Sequence, residues 1–188
     1  MRKIVALFAL CCIIFKGSAQ NHSSLYEYSA KNIEGNSINL SKYLGKKLLV
    51  VNTASYCGYT PQFADLEKLY TQYKKYNFEI IGFPCNDFGK QDPNSDSVIN
   101  IFCTSTYNVT FQMMSKISIV KGDTAPVYKW LQSSKLNGVK TTHVDWNFNK
   151  YLIDEKGHWV KHFSSATIPL DTAITNWIKS PTVPLVSH

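Results

Sequence analysis

The stretch Val50–Thr60, VVNTASYCGYT, holds the residue best placed for nucleophilic chemistry: Cys57 follows an apolar run and precedes a glycine and a helix start at Pro61. Where a strand gives way to a helix, unpaired backbone N–H groups and the helix dipole favour negative charge. A thiol there is drawn toward its thiolate, below the free value of about 8.5. Two other cysteines, Cys85 and Cys103, lie in the body of the chain, and Cys11 and Cys12 near its start. No pair has the C-x-x-C or His-rich spacing of a zinc centre, so neither a metal nor another cofactor is expected. Thr60 stands at the fourth position of CGYT, where a thiol–disulfide exchanger would carry its second cysteine.

The elements that must position Cys57 can be read from periodicity. Lys47–Asn52 is a continuous apolar strand of the kind buried on both faces. From Pro61, residues Phe63, Leu66, Leu69, Tyr70 and Tyr73 recur at helical spacing. Phe78–Phe83 is a second apolar strand, and strand, helix, strand makes a parallel βαβ unit with a right-handed crossover. Pro84–Asn94 is dense in turn formers and leaves the same sheet edge as the Cys57 loop, the edge at which sites of open α/β sheets form. Before this unit, Ser24–Ala30 and Ile38–Leu40 suggest an N-terminal β-hairpin, with a helical turn at Ser41–Leu44. After it, Ser95–Cys103 reads as a short helix with Val98, Ile101 and Phe102 on its apolar face. Val109–Ile119 reads as a loop leading to a short segment, and Ala125–Gln132 as a helix. Tyr151–Ile153 and Trp159–Phe163 form a hairpin, and Leu170–Ile178 a terminal helix. The order of elements gives an α/β chain: a central mixed sheet flanked by helices, which is the thioredoxin-like fold.

The 188 residues, with 44% hydrophobic and 18% charged, suit one globular domain. Residues 1–19 stand apart. Arg2 and Lys3 precede an apolar run from Ile4 to Phe15, too short to span a bilayer, and Gly17, Ser18 and Ala19 form a small-residue cleavage site. This is the pattern of a signal peptide, leaving residues 20–188 as the exported, periplasmic or secreted domain. Lipoprotein anchoring through Cys11 or Cys12 fits less well, because the apolar run continues past both. Loss of Arg2, Lys3 and Lys16 lowers the formal charge from +7 to +4. The lysines form short groups without an Arg-rich stripe, which argues against a nucleic-acid partner. The mild positive balance leaves room for transient contact with anionic small molecules or a membrane surface. Three cysteines in an exported chain is an odd number, which points to at least one free or redox-active thiol.

VNTASYCGYTPQF, GFPCNDFGKQDP and WNFNKYLIDEKG together resemble the three signature segments of the glutathione peroxidase family, in order, within a likeness that covers about residues 24–179. The resemblance implies a thiol-dependent peroxidase acting on hydrogen peroxide and organic or lipid hydroperoxides. Cys57 is then the peroxidatic residue, and Gln91, Trp146 and Asn147 complete the catalytic set. Their chemistry suits the role, since amide and indole N–H groups donate hydrogen bonds without titrating. Cys103 matches the resolving cysteine of the members that use thioredoxin, so the resemblance implies a Cys57 sulfenic acid condensed to a disulfide with Cys103. A thioredoxin-like protein or glutathione would then recycle it. Cys85 receives no role and is expected to be a small buried residue. Asp87 and Asp92 replace the glutamine and glutamate common in relatives. A carboxylate at 87 would oppose thiolate formation unless it points away. The short Lys121–Asp145 segment lacks the insertion of tetrameric relatives and implies a monomer with an open site. Two other readings of the residues are an exported thioredoxin-like exchanger and a non-catalytic binding module on the same fold.

Overall fold

A computed structural model describes residues 23–181. The expected signal peptide, with Cys11 and Cys12, lies outside the described residues. Strand β1 (Ser29–Lys31) pairs antiparallel with β2 (Ser37–Asn39), which gives the expected N-terminal hairpin. The preceding segment is not strand. Leu25–Glu27 forms a 3-10 turn closed by a capping box, Ser24 N–H donating to Glu27 and Tyr26 N–H to the Ser24 hydroxyl. The S-x-x-E spacing in SLYE was its sequence signal.

Strand β3 (Lys47–Thr53) is buried at all seven positions. Helix α1 (Gln62–Tyr73) connects it to the parallel strand β4 (Phe78–Pro84), with Leu49 opposite Ile80 and Val51 opposite Gly82. Helix α2 (Asp96–Tyr107) follows, and β5 (Gln112–Met113), a strand too short to show a period in sequence, adds parallel to β4. Helices α3 (Pro126–Gln132) and α4 (Ser134–Asn137) precede the antiparallel pair β6 (Lys150–Ile153) and β7 (Trp159–Phe163), and α5 (Thr172–Lys179) closes the domain. The sheet order is β5-β4-β3-β6-β7, with β6 antiparallel to β3, a mixed sheet of thioredoxin type.

Period-two alternation along β3 splits the core in two. Leu48 and Val50 point into a layer with Phe83, Tyr128, Trp130 and Tyr151, and Leu49 and Val51 into one with Phe63, Leu66, Cys103, Leu152 and Ile174. Helices α1, α2 and α5 therefore cover one face, and α3 with the N-terminal segment covers the other. Two expectations for α2 need correction. It runs to Tyr107, and its inward residues are Ile99 and Cys103, while Val98 and Ile101 are exposed. Counting cysteine as an apolar residue moves the buried stripe to Ile99, Phe102 and Cys103, at the same helical spacing. The first residue of β3, Lys47, is buried because its ammonium caps the end of α5, donating to the carbonyls of Trp177 (2.9 Å), Ile178 (3.2 Å) and Ser180 (2.7 Å).

Gly157 ends the β6–β7 turn with φ +83°, and a Cβ built there would lie 2.6 Å from the Tyr26 ring. Gly157→Ala combines left-handed strain with a backbone-to-core clash, and is expected to cost about 2–3 kcal/mol. For a chain of this size, that lowers the melting temperature by roughly 5–10 °C. Calorimetry on the purified variant checks the shift.

Candidate active site

Three loops meet at the edge where β3 and β4 end. One follows β3 and carries Cys57; the second follows β4 and carries Gln91; the third enters antiparallel β6 and carries Trp146 and Asn147. One backbone and one side-chain hydrogen bond tie them together. Tyr56 N–H donates to the Gln91 carbonyl at 3.0 Å, and the Asn147 amide donates to Gln91 Oε1 at 3.0 Å. Gly89 makes the approach of the second loop feasible: with φ +62°, it sits where a Cβ would touch both the Gln91 side chain (3.3 Å) and the Trp146 ring (3.4 Å). Phe88 packs on Trp146 with ring centroids 6.2 Å apart.

Cys57 precedes α1 through a series of tight turns, so the helix proper begins at Gln62, a little later than the sequence suggests. Thr60 holds these turns. Its hydroxyl accepts the Cys57 N–H at 2.9 Å and donates to the Ala54 carbonyl at 2.9 Å. The Cys57 thiol is 8% exposed, and its sulfur accepts a hydrogen bond from Tyr59 N–H at 3.4 Å. Among the described residues, this backbone group is the donor at sulfur. Gln91 Nε2 and Trp146 Nε1 donate to no acceptor among the described residues and so remain uncommitted. Gln91, Trp146 and Asn147 are thus gathered into one cluster, joined to the Cys57 loop through the Tyr56–Gln91 bond.

A buried polar clamp fixes the third loop. Asn52, the last core residue but one of β3 and fully buried, accepts the Asn149 N–H on Oδ1 (2.9 Å) and donates from Nδ2 to the Trp146 carbonyl (3.0 Å). Its own carbonyl accepts the Phe148 N–H at 2.6 Å. The Asn149 amide adds bonds to Asp145 (3.2 Å), Trp146 (2.9 Å) and the Ser165 hydroxyl (3.1 Å), and Ser165 donates to the Asn147 carbonyl at 2.5 Å. Beneath the loop, the fully buried Lys150 ammonium donates to the carbonyls of Phe148 (2.7 Å) and Thr167 (2.7 Å). This support lets Phe148 hold φ +63°, an unfavourable conformation for an aromatic residue. Burial pulls Lys150 down to about 7. The sequence reading missed Asn52, Asn149, Lys150 and Ser165. Polar residues at the ends of otherwise apolar strands were the available signal.

The other thiols are poor nucleophiles at rest. Burial pushes Cys85 and Cys103 up to about 12, and both are fully buried. All three described cysteines are free. Asp87 turns away from the site: Oδ2 accepts the Ser118 hydroxyl (3.0 Å) and the N–H groups of Ile119 (2.6 Å) and Val120 (3.0 Å). Burial alone would raise its pKa, but these donors outweigh it and hold the carboxyl below the usual range. Asp92, fully buried, accepts Ser55 N–H on Oδ1 at 3.2 Å.

A single thiol presented at the strand edge of a thioredoxin-type sheet, with amide and indole donors gathered beside it, defines a thiol-dependent redox scaffold. The family model for glutathione peroxidase matches residues 25–132. The chain is 44% identical over 147 residues to glutathione peroxidase-like peroxiredoxin 2 of Saccharomyces cerevisiae, covering 78% of this chain and 91% of that protein. It is 36% identical over 163 residues to the hydroperoxy fatty acid reductase gpx1 of a Synechocystis species, covering 83% and 95%. The apo crystal structure of Trgpx superposes with a TM-score of 0.66 at 36% identity, covering 86% of this chain and 99% of that one. The chain belongs to the glutathione peroxidase family and is a thiol-dependent peroxidase.

Two variants test the clamp. Asn52→Leu strands the buried Asn149 N–H and frees the third loop. It is expected to cost about 1–3 kcal/mol in urea unfolding and to slow reaction with peroxide by about tenfold or more. Lys150→Met gives a pH signature. Between pH 7 and 10.5, the unfolded chain keeps the lysine proton and the folded chain loses it, so wild-type stability gains with rising pH. The stability of wild type relative to Lys150→Met should therefore rise from pH 7 to pH 9, by at most about 1.4 kcal/mol per pH unit. Urea midpoints at the two pH values measure it, and parallel profiles would contradict the assignment.

Proposed function

We propose that this protein reduces hydrogen peroxide and organic or lipid hydroperoxides through a Cys57 sulfenic acid, resolved by Cys103 and recycled by a thioredoxin-like dithiol in preference to glutathione. The Cys57 thiolate attacks a peroxide oxygen, the O–O bond breaks, sulfur keeps one oxygen as S–OH, and the other leaves as alkoxide or hydroxide and takes up a proton. Gln91, Trp146 and Asn147 donate hydrogen bonds to the charge as it passes from sulfur to oxygen. Cys103 then displaces hydroxide from the sulfenic acid to form a disulfide, and two external thiols return both sulfurs to the reduced state. The observation that carries this reading is the convergence of the Cys57, Gln91 and Trp146–Asn147 loops, with the Gln91 amide and Trp146 indole donors uncommitted.

Several features support the finer parts of the proposal. Tyr56, Tyr59, Trp146 and Ile168 are exposed near this edge, and a groove of about 430 Å³ runs along Tyr59, Trp146 and Ser164–Ala166. An open apolar rim suits a bulky hydroperoxide, in line with the name of the Synechocystis relative. Cys57 and Cys103 line the same side of the core, which favours an internal disulfide. Disulfide formation needs Cα atoms within about 7 Å, so the segment around α2 opens if the resting separation is larger. Since α2 has twelve residues, that opening is more extensive than a shorter helix would need. The proposed set lies on one chain, consistent with action as a monomer, and the signal-peptide pattern of residues 1–19 supports export.

NADPH-coupled turnover separates the routes. The wild type is expected to turn over much faster with thioredoxin than with glutathione, Cys57→Ser to lose activity, and Cys103→Ser to lose the thioredoxin-driven cycle. Full thioredoxin-driven activity in Cys103→Ser overturns the two-thiol route, and substantial activity in Cys57→Ser overturns the nucleophile. Trp146→Phe keeps the ring and deletes the N–H. Its second-order rate with peroxide should fall by about tenfold or more, and an unchanged rate would reduce the indole to packing.

A further inference from the structure

Near the end of β7, the half-buried His162 turns its ring toward the third loop of the site, with Nε2 2.7 Å from Asn149 Oδ1. The ring is held in place from below. It stacks on Tyr151, with centroids 4.5 Å apart and an interplanar angle of 24°. Tyr151 is fully buried and its hydroxyl pairs with that of Thr142 at 2.9 Å, so the platform is itself anchored. Burial holds the His162 pKa below its ordinary value, with Asp145 opposing and Lys140 and Lys150 assisting. At neutral pH the imidazole is uncharged and carries a single N–H, whose place on the ring is set by the partner it meets.

Asn149 decides that place. Its Nδ2 faces the Trp146 carbonyl (2.9 Å), the Ser165 hydroxyl (3.1 Å) and Asp145 Oδ1 (3.2 Å). A carbonyl and a carboxylate can only accept, and Ser165 has spent its one proton on the Asn147 carbonyl at 2.5 Å. A reversed amide would set its oxygen against all three, so Oδ1 faces His162 and accepts, and the imidazole proton sits on Nε2. Among the described residues, no other group donates to Asn149 Oδ1, and Asn149 is fully buried. The hydrogen bonds therefore run in one direction. From His162 they pass through Asn149 to the Trp146 carbonyl, and through Asn149 and Ser165 to the Asn147 carbonyl.

We infer that His162 is a positioning residue for peroxide reduction: its Nε2 proton fixes the Asn149 amide, and through that amide the placement of Trp146 and Asn147. The inference rests on the donor role proposed above for those two residues. His162 touches none of the reacting atoms and moves no proton. Its effect is geometric, and a small displacement of a donor at a reacting centre is enough to slow the chemistry.

Two measurements on the full reduced chain test it. NMR of the imidazole nitrogens at neutral pH reads the tautomer, with the His162 signals identified by their absence from His162→Gln. The proton is expected on Nε2, and a proton on Nδ1 overturns the inference. Stopped-flow mixing with hydrogen peroxide reads the second-order rate of Cys57 oxidation. His162→Phe keeps a ring over Tyr151 and deletes the donor, and its rate should fall by about tenfold. His162→Gln puts an amide N–H at the same reach as Nε2 and should return the rate to within about threefold of wild type, a rescue that ring packing alone would not give. A wild-type rate in His162→Phe overturns the inference, as does His162→Gln slowed by about tenfold or more. If His162→Phe fails to fold, the tautomer and the His162→Gln rate decide by the same criteria. Trp146→Phe and Asn147→Ala in the same assay separate the two levels. If both react at the wild-type rate, the donor role fails and the positioning role with it; if either is slowed while His162→Phe is not, only the positioning role fails.

Discussion

The side chain of Asn52 is the constraint on which the site depends. A central strand cannot leave polar groups unpaired at its buried end, and β3 meets that demand by turning its last inward amide into a bracket for the third loop, accepting from Asn149 and donating to Trp146. Through that bracket, the position of Trp146 and Asn147 is referred to the central, fully buried strand of the sheet rather than to a loop of their own. Gln91 is then located from two directions, by Asn147 on its side chain and by Tyr56 on its backbone. A displacement of β3 by a fraction of an ångström would move the thiol loop and its neighbouring donors together, which preserves their mutual geometry.

The same economy separates one thiol at the strand edge from two sealed in the core. Cys85 and Cys103 are fully buried, which keeps them protonated, while Cys57 lies at the strand edge, where its sulfur accepts the Tyr59 N–H. Thr60 matters here as much as any cysteine. By taking the Cys57 N–H and returning a hydrogen bond to Ala54, it occupies with a structural hydroxyl the place an exchanger gives to a second thiol. The residues that hold the site are therefore mostly neutral, and the two buried charges near it, Lys150 and Asp92, each carry a pKa displaced by burial toward the working range.

Much of this was legible in the sequence because its signals were periodic or linked. The unbroken apolar runs of β3 and β4 and the three-four spacing of α1 specified the βαβ unit, and three ordered motifs specified which residues would cluster. What escaped was aperiodic. The 3-10 turn at Leu25–Glu27 rests on one capping box, β5 has two residues, and the inward face of α2 depends on treating Cys103 as apolar. The clamp escaped for another reason: Asn52, Asn149 and Ser165 are unremarkable polar residues until the fold buries them against one another. Asp87 illustrates the converse, a carboxylate that threatened the thiolate on paper and is spoken for in space by the Ser118 hydroxyl and the Ile119 and Val120 N–H groups.

The central claim is that, of the three described thiols, Cys57 alone meets peroxide. Dimedone added together with one equivalent of hydrogen peroxide to the fully reduced protein, followed by peptide mass mapping, tests it directly. The account predicts the sulfenic acid adduct on Cys57, with Cys85 and Cys103 unmodified. An adduct that appears first on Cys85 or Cys103 would contradict it.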